Sequence, residues 1–368
     1  MNANHENFFD ELGLILKRLD EGQVTSHFTL NTFKDHNYYF SEGGQHVRIL
    51  ITGGAGFIGS HLCEAFVTQN HTVLCLDNFM NGSLANIRAL LNFKDFKLIN
   101  GDVRDFDLLE KVVSSGIDAV IHLAAQIHVD RSIIEPRITY EINVFGTLNV
   151  LELARRYDVE KVIYTSTSEI YGSAQYVPMN EKHPLNALHP YGASKLAADR
   201  MCHAYVETYN VNACTMRPFN TFGPRQKDTG YGGAISIFVK RVLNATSPII
   251  YGDGTQTRDY TYIKDAVKAY NLVLNSNKPL REPINFGTGK EIRIIDLANK
   301  IIALCGRNGK IKPVHVAPRP GEVKRLVADY SKAKELLGWK PEYSLEEGLR
   351  EFIDWYKNYK FEEWAKPG

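Results

Sequence analysis

Nothing in this chain restricts its fold more than the passage from residue 49 to residue 61, where Ile49-Leu50-Ile51-Thr52 runs into Gly53-Gly54-Ala55-Gly56-Phe57-Ile58-Gly59 and then Ser60-His61. A short β-branched and apolar run predicts a buried strand, and the segment beyond the glycines predicts a helix. Between them stand three glycines spaced for a tight turn, for close approach of backbone to a ligand and for tight packing of helix on strand. A turn of this kind aims the N-terminus of a helix at whatever lies beyond the strand. Unpaired amides and the helix dipole there favour an anion such as a pyrophosphate.

The pattern around the turn repeats. Strand-like runs at 48–52, 72–76, 97–100, 119–123, 161–165 and 213–217 alternate with segments of helical period, which is the signature of βαβ units. Such connections are right-handed, so the expectation is an α/β fold with a doubly wound, Rossmann-like parallel sheet. The dinucleotide-binding part is placed at residues 47–217, with return segments near 260–287. Residues 218–368 are read mainly as a smaller, mixed C-terminal substrate lobe, because their texture turns to Pro/Gly-punctuated loops. Helix starts fall at Ser331 and at Ser344, the latter with Glu347 in capping-box position. Residues 1–46 form an N-terminal extension whose stretch 8–19 has helical apolar spacing. The reading is a helix packed on the body or on a sister subunit, beside a targeting or regulatory role.

Composition removes several functions. The 43 Lys+Arg nearly balance 42 Asp+Glu, so bulk charge gives no pull toward nucleic acid and an anion site must be local. No apolar run approaches the ~20 residues that cross a bilayer, so no membrane partner is expected. Cysteines 63, 75, 202, 214 and 305 are odd in number and lack metal-site or disulfide spacing, so they are read as reduced thiols of a cytoplasmic protein, with no metal.

The residues at the strand ends extend the dinucleotide reading. Asp77, followed by Asn78, ends the second strand, where a carboxylate accepts both hydroxyls of an adenosine ribose and repels a 2′-phosphate; the cofactor expected is therefore NAD. The bland alternative for Asp77 is a strand-end turn residue. Asp102 and Val103 follow the third strand at the edge where adenine lies, and Leu123, Ala124 and Ala125 leave room for the dinucleotide at the end of the fourth.

Tyr191 and Lys195 stand four apart after Pro190, on one face of a helix. An ammonium there lowers the phenol's pKa, and a tyrosinate can take a proton from a carbinol while hydride leaves. The spacing alone also describes many surface helices. It is preceded, however, by Thr167-Ser168-Glu169 at the end of the fifth strand. The glycine turn, Asp77, Gly101-Asp102-Val103, His122-Leu123-Ala124-Ala125, Thr167 with Tyr191 and Lys195, Arg217-Pro218-Phe219-Asn220 and Arg258 together resemble the extended short-chain dehydrogenases/reductases that act on nucleotide-diphosphate sugars. The likeness runs from about residue 47 to residue 356.

That resemblance implies Tyr191 as catalytic base, Thr167 hydrogen-bonded to the same sugar oxygen, and Lys195 on the nicotinamide ribose. Gly53, Gly56, Phe57, Ile58 and Gly59 are implied at the NAD pyrophosphate. Asn220, Arg258 and Arg319 are implied at the substrate diphosphate, and a homodimer is implied as the assembly. Thr167-Ser168-Glu169 resembles the Thr-Ser-Glu of GDP-mannose 4,6-dehydratases, so Glu169 is implied as a base at C5. Ser168, where dTDP-glucose 4,6-dehydratases carry aspartate, leaves the acid at C6 open between Glu169 and a water held by Ser168. His128-Val129-Asp130-Arg131-Ser132 echoes the dehydratases' substrate loop. The reading is a 4,6-dehydratase, with 4-epimerase and UDP-glucuronate decarboxylase as the alternatives and a non-catalytic NAD-binding module as the reading of another class.

Overall fold

The structure, a computed structural model, describes residues 46–228, 233–319 and 321–364. The N-terminal stretch 8–19 lies outside them. The described residues make one compact unit.

Its centre is a seven-stranded parallel sheet in the order β3-β2-β1-β4-β5-β6-β10. The strands are β1 (Arg48–Thr52), β2 (Thr72–Asp77), β3 (Phe96–Asn100), β4 (Ala119–His122), β5 (Lys161–Thr165), β6 (Ala213–Pro218) and, after a long excursion, β10 (Ile284–Phe286). This is the doubly wound sheet that the alternation predicts. The order reverses between β1 and β4, and ligands of such sheets bind outside the carboxyl ends of the strands at that reversal. Ile49, Leu50, Ile51, Val120, Ile121 and Ile163 are fully buried, as continuous apolar strands covered on both faces must be.

Helices α1 (Phe57–Thr68), α2 (Phe106–Val113), α3 (Gly146–Arg156) and α4 (Pro190–Tyr209) belong to the crossovers. A π-turn at Glu141–Phe145 leads into α3. The remaining elements are β7 (Asn220–Phe222), α5 (Ala234–Leu243), β8 (Ile249–Tyr251), β9 (Thr257–Tyr262), α6 (Ile263–Leu274), β11 (Glu291–Arg293), α7 (Ile294–Leu304), β12 (Val314–Val316) and α8 (Leu345–Trp364). They form a three-stranded sheet, β11-β9-β7, and a two-stranded one, β12-β8. Helix α8 opens with the expected capping box: Glu347 N–H donates to Ser344 Oγ (3.2 Å), and Ser344 N–H to Glu347 Oε2 (2.8 Å).

Segment 263–286 crosses back to the main sheet. Lys161 of β5 donates to the carbonyls of Val273, Leu274 and Ser276 at the end of α6, and β10 adds to the sheet edge beside β6. The helix that carries Tyr191 and Lys195 is tied to the sheet by a buried ion pair. Arg217 on β6 donates to both oxygens of Asp199 on α4 (2.9 and 2.7 Å) and to the Tyr171 hydroxyl (2.9 Å). Arg217 is thus part of the scaffold, and removing either partner strands a buried charge at a cost of about 3–5 kcal/mol.

Candidate active site

The carboxyl ends of β1 to β6, the starts of α1 and α4 and the loops of the C-terminal half enclose one cavity of 1370 Å³. Pockets for a single small ligand are typically ~300–1,000 Å³, so this one suits two. Gly53, Gly56, Phe57, Ile58, Gly59, Asp77, Asn78, Asp102, Val103, Leu123, Ala124 and Ala125 line it, as do Thr167, Ser168, Glu169, Tyr191, Lys195, Asn220, Arg258 and Arg319. Every site residue chosen from the sequence therefore faces the same space.

At the glycine turn the backbone leaves no room for side chains. Gly53 has φ +73°, and a Cβ there would meet Ala124 N at 2.8 Å; at Gly59 a Cβ would lie 2.2 Å from Gly53 O. The start of α1 carries neither a capping side chain nor an acidic residue in its first turn, so its positive end opens on the cavity. Such a cradle fits a dinucleotide pyrophosphate. Asp77, buried at the end of β2, accepts from Ala55 N (2.9 Å) and Phe79 N (2.8 Å). Burial raises its pKa against these hydrogen bonds and the charge of Lys227. Asn78 donates to Asp102 (2.8 Å), whose carboxylate also pairs with Arg104 (2.8 Å). Burial opposes ionisation of Asp102, but these partners outweigh it and hold its pKa low.

The reacting groups sit where β5 ends. Thr167 caps the short turn Ser168–Tyr171 by accepting from Glu169 N (3.3 Å), and its hydroxyl is near enough to the Tyr191 phenol to oppose the rise of its pKa. Ser132 accepts from Tyr191 N (3.1 Å), which joins the segment 128–132 to the start of α4. Asn143, inside the π-turn, accepts from Gln126 N (2.7 Å) and donates to Ser194 Oγ (2.9 Å), bracing the same helix from the other side.

Here the structure departs from expectation. Spacing predicts that Lys195 lowers the pKa of Tyr191, yet burial pushes the phenol up to about 12, with the Glu169 charge adding to the rise and the Thr167 bond opposing it. The reason is the reach of the lysine chain. Lys195 Nζ turns back to the strand, donates to Thr165 O (2.5 Å) and lies 4.4 Å over the Tyr164 ring. Burial then brings the amine down to about 7. An i, i+4 spacing fixes which face two side chains share, and it does not fix where a four-carbon stem ends.

Glu169 is held in the cleft by His189, whose Nε2 lies 3.3 Å from Glu169 Oε2. Burial opposes its ionisation, but the His189 bond and the Arg258 charge outweigh that and set its pKa below the ordinary range. A largely buried carboxylate kept ionised next to a phenol and a threonine is equipped to take a proton.

The two arginines come from far apart in the chain and are already paired. Arg258 on β9 donates to Val323 O (2.7 Å) and Thr257 O (2.9 Å) and bridges to Glu322 (3.1 Å). Arg319 stacks 3.9 Å above the Tyr251 ring and lies 3.6 Å from Asp130. The Asn220 side-chain oxygen is buried with no hydrogen-bond partner. Sequence reasoning missed His189, Asn143 and Lys227. Histidine is not a favoured helix cap, so the residue before Pro190 gives no signal. Asn143 sits in a helical pattern that looks regular.

Among the described residues no group of His, Cys, Asp and Glu could hold a metal ion, and no helix is long and apolar enough to cross a membrane. All five cysteines are free thiols, four of them buried.

Similarity to known proteins agrees with this geometry. A sequence model of the family described as GDP-mannose 4,6 dehydratase matches residues 50–352. A putative UDP-glucose 4-epimerase of Methanocaldococcus jannaschii is 42% identical, over 84% of this chain and 98% of that protein. UDP-glucuronic acid decarboxylase 1 of Xenopus tropicalis is 35% identical, over 84% of this chain and 72% of that protein. The solved dTDP-glucose 4,6-dehydratase DesIV of Streptomyces venezuelae, with NAD bound, superposes with a TM-score of 0.81 at 32% identity, covering 87% of this chain and 99% of that one. The chain belongs to the GDP-mannose 4,6-dehydratase family of extended short-chain dehydrogenases/reductases, whose members are nucleotide-sugar dehydratases, epimerases and decarboxylases.

Proposed function

We propose that this protein is an NAD-dependent nucleotide-diphosphate-sugar 4,6-dehydratase. The observation that carries the reading is Glu169, a second base beside the Thr167–Tyr191 pair. Oxidation and re-reduction at C4 need only one base, whereas elimination across C5 and C6 needs another.

In this reading the N-terminus of α1, with Gly53, Gly56, Phe57, Ile58 and Gly59, holds the NAD pyrophosphate. Asp77 and Asn78 hold the adenosine ribose, Asp102 and Val103 the adenine, and Leu123, Ala124 and Ala125 the space between; the bare helix start and the Gly53 and Gly59 cradles support this placement. When bound, NAD supplies the hydride acceptor for C4 and the hydride donor for C6. Tyr191 takes the C4 hydroxyl proton, with Thr167 on the same oxygen and Lys195 on the nicotinamide ribose. Glu169 takes the C5 proton, acidified by the C4 ketone, and passes it to the C6 hydroxyl, which departs as water; the proton taken from the C4 hydroxyl balances the one that C5 regains as hydride adds at C6. The product is a 4-keto-6-deoxy sugar, with no net change of oxidation state. Arg258 and Arg319, with Asn220, receive the substrate diphosphate, since guanidinium forks match phosphate oxygens.

A second reading, 4-epimerase, is favoured by the 42% likeness to the putative UDP-glucose 4-epimerase. Incubation with UDP-, GDP- and dTDP-hexoses followed by product mass separates the two: loss of one water is expected, and an unchanged mass gives the second reading. Glu169→Gln is expected to stop water loss by about 10²–10³-fold while C4 oxidation proceeds and NADH absorbance accumulates. Tyr191→Phe is expected to stop both, with no NADH. A Glu169→Gln variant that still loses water overturns the reading.

We also infer that the working form is a homodimer. Ile133, Ile134, Tyr140 and Phe145 expose apolar surface on consecutive turns of 129–145, with Ile134 at 76% exposure. Sedimentation equilibrium that returns the monomer mass overturns this. The free thiols fit a reducing compartment, the cytoplasm.

A further inference from the structure

The residue before Pro190 performs two tasks with one ring. His189 is the cap of α4: its Nδ1 accepts from Gly192 N (3.1 Å). That bond occupies the Nδ1 lone pair, so Nε2 carries the proton, and Nε2 faces Glu169 Oε2 (3.3 Å). The ring is 7% exposed and lies parallel to that of Tyr191, with centroids 6.0 Å apart and planes 8° apart. The α4 start is pressed onto the Glu169 turn. A Cβ at Gly192 would lie 3.1 Å from Glu169 O and 3.3 Å from His189 Cε1.

We infer that His189 is the positioning residue of the second base: its cap bond selects the Nε2–H tautomer, and that N–H holds Oε2 of Glu169 so that the carboxylate's remaining lone pairs face the sugar. This rests on the reading of Glu169 as base. An imidazole whose Nδ1 accepts from backbone can only donate toward Glu169, so His189 orients the carboxylate and does not compete for the C5 proton. The other charged or titratable groups facing Glu169 are Arg258 from β9 and Tyr191 from α4, with the Thr167 hydroxyl on its own turn. Loss of the His189 donor leaves Arg258 as the cation facing it. The carboxylate then protonates at a higher pH than before.

The test uses the NAD-loaded enzyme and two substitutions. Serine at 189 can still cap the helix but is too short to reach Glu169, whereas asparagine both caps and donates. His189→Ser is expected to keep the melting temperature and to hold KM within about twofold. It is expected to lower kcat for water loss about tenfold, as for one hydrogen bond to a charged group, and to move the acid limb of the kcat–pH profile upward. His189→Asn is expected to recover part of both. Nitrogen-15 NMR of histidine-labelled enzyme is expected to show the Nε2–H tautomer at 189.

An Nδ1–H tautomer, an unmoved acid limb, or equal losses in both variants with a lowered melting temperature each overturns the assignment. If instead Glu169→Gln still loses water, or the parent only epimerises, the base reading fails while the tautomer measurement separately decides the His189–Glu169 contact.

Discussion

In the proposed function the two ends of the cleft meet anions by opposite means. At the glycine turn the charge complement is backbone: a helix start without capping or acidic side chains, and glycines at which a single added carbon would collide with Gly53 O or Ala124 N. At the other end it is side chain: Arg258 and Arg319 project from loops and strands of the C-terminal half, each already facing a carboxylate, Glu322 or Asp130. The backbone end is set before any ligand arrives. In the proposed function the side-chain end exchanges Glu322 and Asp130 for a diphosphate, and only a group that replaces both carboxylates recovers the lost pairing.

The strongest way to break this contrast is at the rigid end. Gly59→Ala is expected to weaken NAD binding about a hundredfold, because its Cβ would lie 2.2 Å from Gly53 O and displace the turn; unchanged NAD affinity by calorimetry would sink the cradle. A smaller effect is expected at the adjustable end, and an unequal one. Arg258 is 12% exposed with three protein partners, so Arg258→Ala is expected to raise substrate KM about thirtyfold. Arg319 is 37% exposed, so Arg319→Ala is expected to raise it about threefold. Steady-state kinetics showing equal effects would mean that both arginines are held alike.

An effect of another kind, on stability, is expected between the two ends, at Lys195. Its amine falls from the ordinary 10.5 to about 7 in the folded chain. Between those values the unfolded chain binds more protons than the folded one, so stability rises with pH from about 7 to 10.5. The contribution is on the order of a few kcal/mol at most. Lys195→Met removes this titration, and its melting temperature is expected to lose that part of the pH slope. Parallel melting curves for the two proteins from about pH 7 to 10 would place the amine in water.

Much of the cofactor end was legible because its signals are local. A buried strand, three spaced glycines, a helix and a carboxylate at the next strand end lie within thirty residues or so, and parallel βαβ winding allows them one arrangement. That the sheet is parallel and doubly wound follows from the same alternation, and Ser344 with Glu347 announced the start of α8. The reacting end was legible in residue choice but not in geometry. Thr167, Glu169, Tyr191 and Lys195 all face the cavity, yet the Tyr191 pKa is raised and not lowered, because burial of the phenol dominates, while the Lys195 stem ends on a carbonyl of β5. His189 gave no signal at all. Its role exists only where two turns twenty residues apart are pressed together.

The parallel sheet, the dinucleotide turn and the roster of groups in the cleft could all be had from the order of residues, since each depends on period, on glycine's freedom or on position at a strand end. The pairings could not, because packing alone sets them: His189 with Glu169, Asp130 with Arg319, Arg217 with Asp199, and Lys195 with the Thr165 carbonyl. Charge, burial and hydrogen bonds act over a few ångströms, and which groups come that close is a property of the packed chain.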